Sequence, residues 1–142
     1  MTRLIKLSDV VAHVESGGNP VAMRYEPTYN PSETGISNAF KFATGSYISA
    51  ETAKMICMTS WGLYQIMGDN LYNVLTMKQD IVVFLNDILL QLTFFEHFIS
   101  KIGFVDGLFG EMSPEQIDEF AVKYNGSILY AEALKNAYKT IG

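Results

Sequence analysis

The longest apolar segment of the chain, from about Gln79 to Lys101, constrains the fold more than any other feature. Its apolar residues cover more than one helical face, which is typical of a central helix buried within a domain. A membrane span would need about 20 predominantly apolar residues. Polar side chains interrupt this segment too often for that, at Asn86, Asp87, Gln91, Glu96 and His97. We therefore predict a mainly α-helical bundle packed around a buried central helix.

Composition favours a globular domain and argues against several kinds of partner. The 142 residues are 49% hydrophobic and 18% charged, which suits a single domain over residues 1–142 with its own core. The net charge is −5 and no basic run is present, so no nucleic acid partner is expected. Cys57 is the only cysteine, and the two histidines have no metal-ligand spacing. The sequence therefore predicts neither a disulfide, nor a metal site, nor a cofactor.

A short helix is predicted over residues 8–16, because apolar residues recur there at helical spacing. Ser8 is expected to cap its start. Gly17 and Gly18 can adopt the left-handed conformation that ends a helix, and Pro20 prevents the helix from resuming. The apolar residues that define its buried face are Leu7, Val10, Val11 and Val14.

Glu15 lies at the edge of this buried face, in the last turn of the predicted helix. Burial and the carbonyl end of the helix both disfavour a negative charge, so the pKa of Glu15 should be raised. A glutamic acid that stays protonated near neutral pH can serve as a general acid. The alternative interpretation is a surface glutamate that merely ends a helix.

Turn residues dominate the segment that follows. Pro27, Pro31, Gly35 and Gly45 fall within it, so we predict a small irregular or hairpin insert at about 21–48 with weak strands. A long irregular segment in a small domain is more often functional than merely connecting. The aromatic faces of three insert tyrosines would suit sugar rings, although packing is the commoner role of such residues; these are Tyr25, Tyr29 and Tyr47.

Cap residues predict the remaining helices. Ser49 is expected to cap a helix over residues 50–57, and Ser60 a shorter one over residues 61–67. A serine, a proline and a glutamine at successive cap positions give a strong start signal for a further helix. That helix begins at Ser113-Pro114-Glu115-Gln116 and ends at Asn125-Gly126, and a final helix covers about residues 129–139.

Three sequence blocks, taken together, carry a resemblance to a known family. They are Glu15-Ser16-Gly17-Gly18-Asn19-Pro20, Ser60-Trp61-Gly62-Leu63-Tyr64-Gln65-Ile66-Met67 and Phe120-Ala121-Val122-Lys123-Tyr124-Asn125-Gly126. In this order the chain resembles the lysozyme-like glycosidases of the goose-type and soluble lytic transglycosylase lineage. It is most similar to the phage and bacterial N-acetylmuramidase branch. The resemblance implies a mainly α, lysozyme-like α+β fold and a peptidoglycan-degrading enzyme.

Roles for individual residues follow from the resemblance. Glu15 would protonate the glycosidic oxygen between N-acetylmuramic acid and N-acetylglucosamine. Ser16 would contact the sugar or orient the acid, and Gln65 would line the floor of the cleft. Tyr124 would bring its hydroxyl toward the acid and the sugar, and Asn125 would fix that end of the helix. Tyr64 stands where the family usually has methionine, and we count it among the substrate-binding residues.

A second carboxylate would decide between hydrolysis and transglycosylation. Hydrolysis with inversion uses a second carboxylate, roughly 6.5–9.5 Å from the acid, to activate water. Glu26 is our candidate, because the resembling branch has a similarly flanked glutamate and Arg24 could keep it ionised. A plain surface ion pair is the alternative, and Glu33 and Glu51 are weaker rivals. If none reaches the cleft, a lytic transglycosylase that forms anhydro-muramic ends becomes the better interpretation.

The resemblance also bears on location and partners. Ser8, Asp9 and His13 interrupt any apolar leader, so we expect cytoplasmic production without a signal peptide or membrane insertion. The enzyme would then act on the periplasmic or external cell wall, as a phage or prophage lysis enzyme with a lysis-system partner or as a virion component. A non-catalytic cell-wall-binding or virion structural module is the alternative from another class.

Overall fold

The computed structural model describes residues 5–43 and 49–141. Helices dominate this part of the chain and a small antiparallel sheet accompanies them, which confirms the predicted mainly α architecture. In chain order the elements are α1 (Leu7–Ser16), β1 (Met23–Tyr25), α2 (Glu33–Phe42), α3 (Ala50–Cys57), β2 (Thr59–Trp61), β3 (Ile66–Met67), a π-helical turn (Asn70–Val74), α4 (Ile81–Leu85), α5 (Ile88–Lys101), a 3₁₀ turn (Val105–Leu108), α6 (Pro114–Asn125) and α7 (Leu129–Ile141).

Helix α1 ends as predicted but begins earlier. Gly17 adopts the left-handed conformation with φ 62°, and its N–H reaches back to the carbonyls of the last turn. The start is not capped by Ser8, so that prediction was wrong. Lys6 is the N-cap residue, and its backbone N–H donates to the side chain of Asp9 at 3.0 Å. The earlier start brings Leu7 into the helix, where it is fully buried.

Helix α2 occupies the middle of the segment predicted to be an irregular or hairpin insert at 21–48, and that prediction was wrong there. Ser32 caps the helix by accepting a hydrogen bond from the Gly35 N–H at 2.9 Å. Ala39 and Ala43 are fully buried, at the four-residue spacing of one helical face. This apolar face packs against α3 and the π-helical turn. Tyr47 and Gly45 lie outside the described residues.

The segment predicted as a helix over 61–67 forms a β-hairpin instead, so that prediction was also wrong. Trp61 of β2 pairs with Met23 of β1 on one side and with Ile66 of β3 on the other. The connecting turn requires left-handed backbone at Gly62, with φ 79°, and at Gln65, with φ 50°. Such conformations are incompatible with a continuous helix.

The long apolar segment forms two helices rather than one. Asp87 interrupts it and caps α5 by accepting a hydrogen bond from the Leu90 N–H at 3.0 Å. On α5, Phe95 and Ile99 are fully buried, whereas Leu89 is 75% exposed. The predicted all-round burial of a central helix was therefore wrong, because neighbouring elements cover only one face of α5. None of the described helices is long and apolar enough to cross a membrane.

Helix α6 confirms the cap signals read from the sequence, and α7 occupies the segment predicted for the final helix. The Ser113 hydroxyl accepts from the Gln116 N–H, and the Gln116 side chain accepts from the Ser113 N–H at 2.9 Å. Gly126 ends α6 in the left-handed conformation, with φ 82°. The two helices pack together, and α7 also packs against α1. This arrangement brings the end of α6 and the start of α7 close to Glu15.

Candidate active site

A cleft of about 610 Å³ opens between the C-terminal end of α1, the sheet and the C-terminal end of α6. Five residues predicted for the site line it together: Glu15, Glu26, Gln65, Tyr124 and Asn125. Its other lining residues are Val14, Arg24, Thr28, Tyr29, Ser60, Ile66, Met67, Asn70 and Phe98. Ser16 and Tyr64 do not line it.

Glu15 is half-buried at the end of α1, and its pKa is raised from 4.5 to about 7. Burial is the main cause, because a carboxylate loses favourable hydration when apolar groups surround it. The neighbouring Tyr130 side chain and the positive charge of Arg24 act in the opposite direction and limit the rise in pKa. Near neutral pH the cleft therefore holds a substantial fraction of protonated Glu15.

Tyr130, which the sequence analysis did not single out, is a further neighbour of Glu15. Its side chain lowers the pKa of Glu15. The pKa of the Tyr130 hydroxyl is raised, mainly by burial and further by the nearby Glu15 carboxylate. The buried hydroxyl has no partner at ordinary hydrogen-bond distance and angle in the described part of the chain. The hydroxyl is thus available to donate to Glu15. No sequence signal marks Tyr130, since its place depends on how α7 packs against α1.

Tyr124 contributes its ring to the cleft, and its hydroxyl is already engaged. The hydroxyl donates to the Tyr64 carbonyl at 2.6 Å. Burial raises the pKa of this hydroxyl, and the negative charge of Glu15 is among the further causes. The ring stacks on Phe120 with centroids 4.9 Å apart and meets Phe98 edge to face at 5.8 Å. This aromatic packing forms the apolar backing of the cleft next to the acid.

Ser16 and Tyr64 support the site from behind the cleft. The Ser16 hydroxyl lies within hydrogen-bond distance of the Leu63 carbonyl at 2.8 Å and of the Ala12 carbonyl at 3.0 Å. Tyr64 is only 5% exposed and stacks on Phe95 with centroids 4.2 Å apart. Their contacts join the end of α1 and helix α5 to the β2–β3 turn. Neither side chain is placed to touch a ligand in the cleft.

Gln65 lines the cleft, and its side chain joins the β2–β3 turn to the segment before β1. Its amide nitrogen donates to the carbonyls of Ala22 at 3.1 Å and Gly62 at 2.9 Å. Its amide oxygen accepts from the Ser60 hydroxyl at 2.8 Å. Both amide protons are used, so the side chain can offer a ligand only a remaining acceptor site on its oxygen.

Glu26 lines the cleft from the segment that follows β1. Its carboxylate pairs with Arg24 at 3.1 Å, and the side chain of Arg24 is 77% exposed. The Glu26 N–H donates to the Met58 carbonyl at 2.8 Å, which fixes the backbone beside β2. The rival carboxylates Glu33 and Glu51 are exposed in the first turns of α2 and α3 and do not line the cleft.

The described residues provide neither a cluster of metal ligands nor a reactive thiol. Within residues 5–43 and 49–141, no group of three or more histidine, cysteine, aspartate or glutamate side chains could hold a metal ion. Cys57 is buried, and burial raises the pKa of its thiol to about 12. A thiol with so high a pKa is a poor nucleophile near neutral pH.

Comparisons with known proteins identify the family to which the chain belongs. A family model described as N-acetylmuramidase matches residues 22–142, which include the sheet, Glu26, α6 and α7. An endolysin of Enterobacteria phage PRD1 is 31% identical over 148 residues, covering 96% of this chain and 96% of the phage protein. No solved structure matches the chain. The family match covers most of the sequence, and the relative is similar over almost its whole length, so the chain belongs to the N-acetylmuramidase family.

Proposed function

We propose that this muramidase hydrolyses the β-1,4 bond between N-acetylmuramic acid and N-acetylglucosamine in peptidoglycan, with Glu15 as the general acid. The observation that carries the proposal is the raised pKa of Glu15, about 7, in a cleft that also holds a second carboxylate. A general acid is most effective when its pKa lies near the working pH. Glu15 would donate its proton to the glycosidic oxygen as the bond to the anomeric carbon breaks.

Glu26 is our candidate for the general base. It lies in the same cleft as Glu15 and is open to solvent, so a water molecule can reach its carboxylate. In the proposed step, Glu26 takes a proton from water while the water oxygen attacks the anomeric carbon. The product then carries an inverted configuration and a reducing end. Arg24 would hold the Glu26 carboxylate in place through their ion pair.

Some of the remaining predicted site residues would contact the saccharide, and others would support the structure around the cleft. Asn125 lines the cleft at the end of α6, beside the Tyr124 ring, and we propose that both contact the bound saccharide. Gln65 would accept a hydrogen bond from the saccharide through its amide oxygen. For Ser16 and Tyr64 we propose indirect roles, because their contacts hold the β2–β3 turn and do not face the cleft.

The biological setting is proposed from the relative. The similar phage protein is named an endolysin, so we propose that this chain accumulates in the cytoplasm of the producing cell. A lysis-system partner, or incorporation into a virion, would give it access to the wall. Fractionation of producing cells and mass spectrometry of purified virions would identify the compartment that contains it.

Product analysis tests the proposed reaction. Purified peptidoglycan is digested with the wild type and with Glu15→Gln, and the released muropeptides are analysed by mass spectrometry. Hydrolysis predicts reducing N-acetylmuramic acid ends from the wild type and little release from the variant. Anhydro-muramic ends would mean that the substrate's 6-hydroxyl replaces water, as in a lytic transglycosylase, and would remove Glu26 from the mechanism. No release from any of several wall types would contradict the enzymatic proposal.

A further inference from the structure

Asp69 is a buried carboxylate that the mechanism above does not use. It lies between β3 and the π-helical turn and is 7% exposed. One of its oxygens, Oδ2, accepts a hydrogen bond from the Tyr29 hydroxyl at 3.0 Å. The other, Oδ1, accepts from the Ser32 hydroxyl at 2.6 Å and from the Ser32 N–H at 3.2 Å. A buried carboxylate needs such donors to offset the loss of hydration.

The surroundings of Asp69 leave its carboxylate little freedom to move. Ser32, which donates to Oδ1, is also the N-cap of α2 and accepts from the Gly35 N–H at 2.9 Å. A Cβ atom on Gly35 would overlap Oδ1 of Asp69, so α2 approaches the carboxylate closely at this position. Asp69 therefore joins the start of α2 to the segment that leads into it from the cleft.

Asp69 is not itself a candidate base. It does not line the cleft, although its neighbours Met67 and Asn70 do. Both of its oxygens already accept hydrogen bonds from the protein. Its influence on a ligand must therefore act through another residue.

Tyr29 is the residue through which Asp69 reaches the cleft. It lines the cleft together with Glu26 and Thr28, and it is half-buried. Burial raises the pKa of its hydroxyl above the usual range, and the hydrogen bond and the charge of Asp69 raise it further. The hydroxyl therefore stays neutral, and its proton points toward Asp69. Toward a ligand, Tyr29 can offer only its ring and a lone pair on its oxygen.

We propose that Asp69 is a positioning residue that fixes Tyr29 as a saccharide-binding wall of the cleft. The ring packs against the C–H face of a sugar, and the oxygen accepts a hydrogen bond from a sugar hydroxyl or an acetamido N–H. This inference rests on the proposed function, since it assumes that the cleft binds glycan. Without Asp69 the hydroxyl proton would be free to rotate into the cleft, where it would face the ligand's own donors.

A binding experiment tests the inference without relying on turnover. The probe is a purified, peptide-free tetrasaccharide of alternating N-acetylglucosamine and N-acetylmuramic acid, titrated calorimetrically into protein that carries Glu15→Gln. Tyr29→Phe, Asp69→Asn and the double variant are made in that background. Asparagine keeps the shape of Asp69 and an acceptor for Ser32. Tyr25→Phe is the matched control, because Tyr25 lies on β1 and does not line the cleft.

Each single substitution should weaken binding by about three- to tenfold, the usual effect of losing one hydrogen bond between neutral groups. The double variant should bind about as weakly as the single variant with the lower affinity. The two losses should not add, because Asp69 acts on the ligand only through Tyr29. Tyr25→Phe should leave the affinity unchanged. Thermal unfolding of each variant separates weakened binding from loss of fold.

Three results would overturn the inference. Unchanged affinity in Tyr29→Phe would remove Tyr29 from the cleft's binding wall, even if Asp69→Asn did not fold. Independent, multiplicative losses would show that Asp69 does not act through Tyr29. If the Glu15→Gln parent did not bind the tetrasaccharide and the wild type did not cleave it, the proposed function would fall together with this inference. The first two results would overturn the inference alone.

Discussion

Glu15 and Glu26 face the same cleft from walls that are built in different ways. The wall that carries Glu15, here the acid wall, consists of the end of α1 with α6 and α7, and aromatic rings pack behind it. The wall that carries Glu26, here the sheet wall, consists of β1, β2 and β3 with the segment around Tyr29. All three residues of β1 are exposed, whereas Phe120, behind the acid wall, is fully buried.

The two walls are also stabilised by different interactions. In the acid wall, Tyr124 packs against Phe120 and Phe98, and burial raises the pKa of Glu15 to about 7. In the sheet wall, side-chain hydrogen bonds of Gln65 and Asp69 hold the backbone in place. Two carboxyl groups in unlike environments can take the roles of acid and base in one reaction. The different environments of the two walls thus suit the proposed roles of Glu15 as general acid and Glu26 as general base.

The largest expected effect comes from removing the acid itself. Glu15→Gln should lower kcat by about 10²–10⁴-fold or more, because glutamine cannot donate a proton to the leaving oxygen. Binding of the tetrasaccharide should be retained, since glutamine keeps the shape of the side chain. Activity on purified peptidoglycan and calorimetric binding measure the two properties. Loss of binding in parallel with activity would assign Glu15 to substrate binding instead.

Glu26→Gln tests the other wall and should lower kcat by about 10²-fold, the lower end of the range for general base catalysis. Glu33→Gln is the matched control, because Glu33 is an exposed carboxylate near the same wall that does not line the cleft. The exposed pair with Arg24 should contribute little to stability, so the thermal midpoint should hardly change. Full activity in Glu26→Gln would remove the need for a second carboxylate and favour the transglycosylase reaction.

The acid wall could largely be predicted from the sequence, because its signals are local. The glycines after Glu15 and the Ser113–Gln116 capping box mark helix ends within a few residues. Tyr124 and Asn125 were recognised from a contiguous block. The acceptor of the Tyr124 hydroxyl, the Tyr64 carbonyl, could not be predicted, because it lies 60 positions away in the sequence.

The sheet wall was harder to predict, because its structure depends on pairing between distant segments. Residues 59–61 form a strand because they pair with residues 23–25, and the serine cap signal at Ser60 competes with that tertiary preference. Helix α2 was missed because Pro31, Gly35 and Asn38 gave local turn signals, whereas the packing of the helix against α3 exists only in the folded chain. Tyr130 and Asp69 gave no local signal, since their neighbours come together only in the folded chain.

Gly35→Ala tests whether the sheet wall depends on the buried carboxylate. The added Cβ would overlap Oδ1 of Asp69, so the free energy of unfolding should fall by about 1–3 kcal/mol, as for other overpacked sites. Gly110→Ala is the matched control, because Gly110 has open space around it and should change stability by less than about 0.5 kcal/mol. Denaturant unfolding measures both variants. If Gly35→Ala were as stable as Gly110→Ala, the close contact between α2 and Asp69 would not contribute to the free energy of unfolding.

The smallest expected effect is a shift in the pH profile of the acid wall. The alkaline limb of kcat/KM should follow the pKa of Glu15, near 7, because only the protonated form can donate. Arg24 and Tyr130 favour the ionised form of Glu15. Tyr130→Phe removes one of these stabilising groups, so the pKa of Glu15 should rise and the alkaline limb should move to higher pH, by about 0.5 to 1 pH unit for one hydrogen bond.

Tyr138→Phe is the matched control for that shift. Tyr138 lies on the same helix and also has a buried hydroxyl without a partner in the described residues, but Glu15 is not among the groups that alter its pKa. Each substitution removes a buried hydroxyl that makes no hydrogen bond of ordinary geometry in the described residues, so both variants should keep the stability of the wild type at acidic pH. If the alkaline limb of the pH profile moves in Tyr130→Phe but not in Tyr138→Phe, the Tyr130 hydroxyl is the group on α7 that lowers the pKa of Glu15. A limb that moves to lower pH would contradict the proposed hydrogen bond, because losing a donor cannot favour the ionised carboxylate.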